Sequence, residues 1–319
     1  MKIYISPFLM LALATFVMVP GWAQAHSEGF YISGDIGVNF AGGFDTTGTS
    51  NDRASVCDEY INPRYQERAS CTGPDRSVGG RWENEFDRAT GILAGGAIGY
   101  SFSGHIQNKN SPLGGLRVEL EYFYRQSNYD QTADVPLGVG TQGQKLRDEI
   151  VHATDRIGSL TSHNLFGNLL YDFRNASRFT PYIGIGGGVG FTDVEYASVW
   201  ARNNNPESIT TGYGLPNAAE IQQNLAGTVS VSQNTLSDVL YGLQILFGVD
   251  YAVTEALSLG LKGRWVRFNS FRDETGIMWD PLRSHEPNLR KDGSEPVRGG
   301  LETDNIEFFG VSVNLKHRF

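Results

Sequence analysis

Eight segments of the chain alternate apolar and polar side chains with a period of two. In the third segment, Leu116, Val118 and Leu120 fall on one face, and Arg117 and Glu119 fall on the other. Successive side chains of a β-strand point to opposite sides, so each segment predicts a strand with one apolar and one polar face. The segments span residues 30–40, 90–102, 116–125, 161–173, 181–191, 239–251, 257–268 and 306–319.

The connections between these segments are of two lengths. Three are short, at residues 104–115, 175–179 and 252–256, and four are long, at residues 41–87, 127–158, 195–236 and 270–301. Antiparallel strands that cross an outer membrane are joined by short periplasmic turns and longer extracellular loops. The chain is therefore predicted to be all-β: an eight-stranded antiparallel transmembrane β-barrel with long extracellular loops and short periplasmic turns.

Aromatic side chains lie near the ends of the predicted strands, where the two interfacial girdles of a membrane barrel belong. Beyond the N-terminus the sequence has no run of 18 apolar residues, and its mean hydropathy is −0.29. Alternating strands escape a search for such runs because half of their residues are polar. The predicted girdle residues are Phe30, Tyr100, Phe102, Tyr171, Phe173, Tyr251 and Phe319.

The N-terminus predicts a secretory signal. Lys2 precedes an apolar run over residues 8–19, and Ala23 and Ala25 form an A-x-A cleavage site. The run is shorter than the roughly 20 residues of a membrane-spanning helix, and a buried N-terminal helix is the alternative. We therefore expect a signal peptide over residues 1–25 and one barrel domain over residues 26–319, in the bacterial outer membrane with its loops extracellular.

Charge and cysteine content narrow the function further. The chain has 35 acidic and 26 basic residues, a balance that argues against nucleic acid as a partner. Its two cysteines, Cys57 and Cys71, both lie in the first long connection, and an exported protein is expected to join them as a disulfide. Closing a loop of this size contributes about 3 kcal/mol to the free energy of unfolding, so the bond would serve to restrain the loop. A free or metal-binding pair is the alternative.

The polar faces of the predicted strands carry charges of both signs, which a barrel directs into its lumen. An eight-stranded barrel is just wide enough for side chains to fill, so these charges are expected to pair. Glycines at residues 184, 186, 188 and 190 should leave room for the long ones. Two interpretations stay open: a salt-bridge network that plugs the lumen, or a narrow, gated ion path. The predicted network comprises Asp35, Arg117, Glu119, Glu121, Arg125, Asp172, Asp250, Lys262, Arg264 and Lys316.

Catalytic and metal sites find little support in the sequence. His163 and His317 are the histidines on predicted strands, and neither has a serine two residues further on. Two Asp–His pairs in the long connections, at residues 152 and 155 and at residues 280 and 285, lack a third partner. We therefore predict no catalytic residue, no cofactor and no metal ion, and expect a protein that is not an enzyme.

Large apolar residues also occur in the long connections. Trp82 lies in the first, and Ile277, Met278 and Trp279 lie in the fourth. Apolar patches on exposed loops suggest contact with a partner, although packing of the loop on itself explains them equally well. Residues 216–225 of the third connection predict a short helix that stops at Gly227.

Three stretches resemble a known class of proteins: Gly-Phe-Tyr-Ile-Ser-Gly from Gly29, the glycine-rich residues 181–188, and the final nine residues, which end at Phe319. They look like the opacity-protein and surface-antigen class of small eight-stranded outer-membrane β-barrels. The resemblance covers the strands and not the loops. It implies a signal peptide, four exposed loops and a terminal phenylalanine, Phe319, that the barrel-assembly machinery reads.

These observations predict an outer-membrane surface protein or antigen that displays long extracellular loops for adhesion or other surface interaction, without enzymatic activity. Its expected partners are outer-membrane lipids including lipopolysaccharide, the barrel-assembly machinery, and host or environmental surface ligands bound by the loops. The first alternative is a small porin-like channel for ions or apolar solutes. The second is a lipocalin-like carrier, whose barrel would be apolar inside, contrary to the charges of the third and seventh segments. A hydrolase comes last.

Overall fold

The computed structural model describes residues 29–50, 80–102, 112–136, 149–173, 175, 177–209, 216–278 and 298–319. The predicted signal peptide, Cys57 and Cys71 lie outside the described residues, so the signal and the disulfide stay predictions.

The described residues form ten β-strands and one α-helix. The helix, α1, is Ala218–Leu225. The strands are β1 (Gly29–Ala41), β2 (Phe44–Ser50), β3 (Gly80–Phe86), β4 (Ala89–Ser101), β5 (Leu116–Asp134), β6 (Ile150–Asp172), β7 (Phe179–Arg202), β8 (Val229–Ala252), β9 (Leu257–Ile277) and β10 (Gly299–Arg318).

Eight of these strands close into a ring. The order is β1, β4, β5, β6, β7, β8, β9 and β10, and β10 pairs back with β1 from Tyr31↔Arg318 to Ala41↔Phe308. Every neighbouring pair in the ring is antiparallel. The fold class predicted from the sequence is therefore confirmed.

The ring is apolar outside and charged inside over about ten residues of each strand. Ile36 and Leu243 are each 70% exposed on the outer face, whereas Arg117 is 1% exposed inside. We call the end with the short connections the turn end and the other the loop end. Aromatic contacts such as Phe30–Tyr100 (ring centroids 5.1 Å apart) mark the turn end. At the loop end the apolar outer face finishes in another set: Phe40, Tyr122, Phe191, Tyr241 and Phe309.

The long connections were predicted to begin too early. Residues 41–87 contain β2 and β3, and the ranges 127–158, 195–236 and 270–301 contain the ends of β5 to β10. The strands continue because their alternation continues with inverted polarity: outward Phe191 of β7 is followed by inward Val194, Tyr196 and Trp200. Past the apolar band the outer face meets water, so the apolar side chains move to the interior. The sequence prediction ended each strand at the last apolar residue of its outer face, and so it missed the part of the strand beyond the band.

One side of the loop end is built differently from the rest. β1 gives way to β2 at Gly42 and Gly43, and β3 gives way to β4 across the ladder, at Asp87 and Arg88. β2 pairs with β10 and β3, but among the described strands β3 has no ladder partner on its other side. There β5 carries a register shift at Asp130, the non-glycine residue of the described chain with a positive φ, +47°. The shift lies in the β5–β6 ladder, which resumes at Gln131↔Ile157, and a bulge of this kind bends the strand.

The predicted short helix is confirmed as α1. Asn217 precedes it, and Gly227, at φ +71°, ends it with a left-handed residue that glycine adopts without strain. None of the helices among the described residues is long and apolar enough to cross a membrane.

Candidate functional site

A buried ion-pair network fills the lumen within the apolar band. The structure brings Glu121 of β5 together with Lys262 and Arg264 of β9, on the opposite wall. Arg264 Nη2 lies 3.0 Å from an oxygen of Glu121 and 3.0 Å from Asp35 Oδ2. The amide of Gln244 also donates to Glu121, at 3.0 Å. Glu121 and Arg264 are both 0% exposed, so each charge is balanced by protein groups rather than by water.

A second group of charges lies nearer the turn end and centres on Arg117. Its guanidinium Nε is 2.9 Å from Asp172 Oδ1, and its Nη1 is 3.5 Å from Glu119. Lys316 pairs with Asp250. The hydroxyl of Tyr31 donates to Glu119 at 2.6 Å, and the rings of Tyr31 and Tyr182 pack beside Arg117. Cations that stack on aromatic rings and pair with carboxylates keep favourable partners despite complete burial.

Arg125 differs from the other predicted lumen residues. It is 0% exposed, forms no ion pair within the described chain, and lies 4.4 Å over the ring of Phe308 with a weak contact to Ser162. All ten predicted lumen residues are buried, five of them acidic and five basic. Arg125 thus supplies the cation that makes the set neutral. A lumen whose ten predicted charges sum to zero offers no excess charge to attract ions of either sign.

An apolar core closes the lumen above this network, which the sequence prediction missed. Phe123, Phe166 and Phe268 are at most 2% exposed and pack on one another with ring centroids 5.6 to 6.0 Å apart. The glycines of β7 leave room for these rings and for amides, not for the long charged side chains predicted: a Cβ at Gly188 would lie 2.6 Å from the Phe166 ring. The signal was present in the sequence, because Phe123 and Phe166 are apolar residues on the polar faces of their predicted strands.

A second polar site lies inside the barrel wall beyond the apolar band. Asp155 of β6 is 1% exposed, and its carboxylate accepts hydrogen bonds from Trp82 Nε1 at 2.5 Å, Asn84 Nδ2 at 2.8 Å and the Tyr196 hydroxyl at 2.7 Å. Burial raises the pKa of Asp155 although these donors, and Ser198, act to lower it. The protonated form of Asp155 therefore favours the buried arrangement. The contribution of Asp155 to the stability of the fold falls as the pH rises through its raised pKa.

The apolar residues predicted in the long connections pack inward where they are described. Trp82 is 3% exposed and meets the Trp200 ring edge-on at 5.5 Å, and Ile277 is fully buried. Met278 remains 55% exposed, and Trp279 lies outside the described residues. The interpretation of the Trp82 region as a loop packed on itself is the one that the structure supports.

The candidate catalytic residues are kept apart. His163 faces outward, with its Nδ1 2.7 Å from the Tyr122 hydroxyl, and His152 is exposed while Asp155 is buried with other partners. The pair at residues 280 and 285 lies outside the described residues. Within the ranges that the structure covers, no group of three or more His, Cys, Asp or Glu side chains is placed to hold a metal ion.

Depressions in the outer wall include two that are lined by described residues. One, of about 780 Å³, lies on the apolar band over the paired glycines Gly167 and Gly187. The other, of about 710 Å³, lies at the loop end of the band, where β1 gives way to β2. Its charged lining is mainly acidic: Asp45, Glu85, Asp87, Asp304 and Glu307, with Arg88 and Arg267.

Comparison with known proteins finds likeness in fold and not in sequence. No protein-family model matches the chain, and no curated protein matches it. Among solved structures, it is similar to Neisserial surface protein A (13% identity, 91% of this chain and 97% of the other, TM-score 0.36). It is also similar to the outer membrane protein OprG from Pseudomonas aeruginosa (13%, 92% and 99%, 0.38) and to the outer membrane protease OmpT from Escherichia coli (8%, 93% and 99%, 0.39).

The observation that decides the class is the closed ring with its apolar outer band, its aromatic ends and its charged, paired interior. This chain is an eight-stranded transmembrane β-barrel. The small eight-stranded barrel that the sequence resemblance implied is confirmed by the closed ring. A lipocalin-like carrier is excluded, because such a barrel is polar outside and apolar inside along its whole length, whereas this barrel has that arrangement only at its loop end.

Proposed function

We propose that the protein is a closed, non-enzymatic surface platform that carries extracellular loops for adhesion or other surface interaction. The observation that supports this most directly is the blocked lumen. The neutral ion-pair network and the aromatic core fill the interior one above the other, from Asp172 near the turn end to Phe271 in the loop-end half. A barrel that is filled at two successive levels anchors the loops in the membrane rather than conducting ions or solutes.

The loop end supports display. Strands β6 to β9 extend about ten residues beyond the apolar band, which raises the connecting segments roughly 20 to 30 Å above it. Its interior is packed like that of a water-soluble protein, with residues such as Leu160, Leu236 and Phe271 fully buried. A rigid wall of this kind holds surface segments away from the lipid headgroups, where a partner can reach them. In this proposal the loop end is extracellular and the turn end periplasmic.

The proposed partners are lipids, the barrel-assembly machinery and surface ligands, and each contacts a different part of the outer surface. Outer-membrane lipids, including lipopolysaccharide, surround the apolar band, and the barrel-assembly machinery recognises Phe319. This terminal ring is 61% exposed at the turn end, and its backbone N–H donates to the Phe30 carbonyl at 3.1 Å. Host or environmental surface ligands bind the loops.

A closed lumen predicts the absence of stable, open conductance when the folded protein is inserted into planar lipid bilayers. Current is recorded for the intact protein and for the variants Glu119→Ala and Arg264→Ala, which disrupt the network. An open current in the intact protein that either variant alters would overturn the proposal in favour of a small channel.

Loop display predicts that binding depends on the long connections and not on the barrel. Fluorescent vesicles that carry the folded protein are applied to cell monolayers and to glass, a stand-in for environmental surfaces. Replacement of residues 51–79, 137–148, 203–228 and 279–297 by short Gly-Ser linkers should abolish retention, while scrambled segments of the same composition control for loop length and charge. Undiminished retention of the shortened protein, with its heat-dependent gel shift intact, rules the proposal out.

A further inference from the structure

The hairpin formed by β2 and β3, here called the flap, is attached to the barrel along one edge. β2 pairs with β10 through five residue pairs, from Thr46↔Thr303 to Ser50↔Gly299. β3 pairs with β2 and has no ladder to β5, its neighbour across the gap. Within the part of the chain that the structure describes, the flap is thus the end of a sheet rather than a closed part of the wall, and its free edge is β3.

The gap is bridged at its base by a side chain. Gln131 of β5 accepts from the Asp87 backbone N–H at 2.7 Å and donates to the carbonyls of Asp87 and Arg88 at 3.2 and 3.3 Å. These bonds lie just beyond Thr90↔Asn128, where the β4–β5 ladder ends. They lie level with Gly42 and Gly43, where β1 gives way to β2, so the flap is fixed at its base and along β2.

The free edge is held inside the barrel mouth by Asp155. Trp82 and Asn84, on the inward face of β3, both donate to this carboxylate on β6, and Trp82 packs against Trp200 of β7. The outward side chains of the flap, Arg81 and Glu83, are 65% and 71% exposed. The same strand therefore shows charges to solvent in this position and keeps its aromatic face covered.

We propose that β3 is the edge of a hinged flap, latched over the barrel mouth by the Asp155 carboxylate. Release of the latch lets β3 swing outward toward the unpaired edge of β5 and uncovers Trp82 and Trp200. The functional consequence of this motion rests on the proposed function, because the position of the flap sets whether the display surface is charged or aromatic. The motion itself does not depend on the loops binding a partner.

The test measures the gap directly. Spin labels on cysteines introduced at Glu83 and Thr132, both exposed, report the distance from β3 to β5 in protein folded in lipid vesicles, with Cys57 and Cys71 replaced by serine. We expect one narrow distance distribution for the latched flap. Asp155→Ala, which removes the acceptor for both flap donors, should shift and broaden that distribution.

Three further variants separate the latch from general damage. Trp82→Phe and Asn84→Ala each remove one flap donor and should give a smaller change of the same kind. Tyr196→Phe removes a donor on the wall and leaves both flap bonds, so it should leave the distribution narrow. If Asp155→Ala loses its heat-dependent gel shift, the two single-donor variants decide. If the distance distribution is unchanged in both single-donor variants, the flap proposal is overturned. Loss of vesicle retention with an unchanged distance distribution would instead concern the proposed display function.

Discussion

Replacement of Glu121 by alanine is expected to lower the free energy of unfolding by about 3 to 5 kcal/mol, because removal of one partner from a buried ion pair leaves the other charge uncompensated. Glu121 is the shared acceptor of Lys262, Arg264, Asn168 and Gln244 at the centre of the lumen. Asp35 remains beside both cations but cannot balance two of them. Urea unfolding in lipid vesicles, followed by the gel shift of the folded barrel, measures the loss.

The matched control is Glu307→Ala, on the exposed outer wall of β10. An exposed carboxylate of this kind is expected to change stability by less than about 0.5 kcal/mol. Glu121→Gln retains the size of the side chain and should fall between the two. Equal stability of Glu121→Ala and the intact protein would show that the lumen charges are solvated, as in an open path.

Truncation of Phe166 to alanine is also expected to remove about 3 to 5 kcal/mol, the usual loss for a buried phenylalanine that leaves a cavity. Its ring is 0% exposed between Phe123 and Phe268 and over the backbone of Gly188. Because the surrounding strands are fixed by their ladders, the wall cannot collapse into the space. The same unfolding measurement applies.

Its control is the preceding residue, Leu165, which faces outward and is 45% exposed on the apolar band. Leu165→Ala exchanges protein contacts for lipid contacts and leaves no enclosed void, so its loss should be clearly smaller. A loss at Phe166 no larger than the loss at Leu165 contradicts the packed core.

The sequence determined the barrel because the pattern that marks a membrane strand is local. In the segment from Leu116 to Arg125, apolar and polar residues alternate, and the pleat of the strand directs them to opposite faces, one toward lipid and one toward the lumen. The eight strands, their antiparallel order, the short turns and the helix at Ala218–Leu225 followed from such local signals. The ten lumen residues could be named for the same reason, since parity along a strand fixes the side on which each lies.

Tertiary structure decided which of those residues meet and what fills the space above them. Glu121 and Arg264 are 143 positions apart and come together only because β5 and β9 face each other across the ring. The apolar core begins at the loop end of the apolar band, and the latch at Asp155 lies beyond the band, where the polarity of the two strand faces inverts. That height depends on where the membrane ends, a property of the assembled barrel and its solvent rather than of any one strand. Trp82 illustrates the same limit: in the sequence it is an apolar residue in a long connection, and only its place on the inward face of β3 brings it to Asp155 and Trp200.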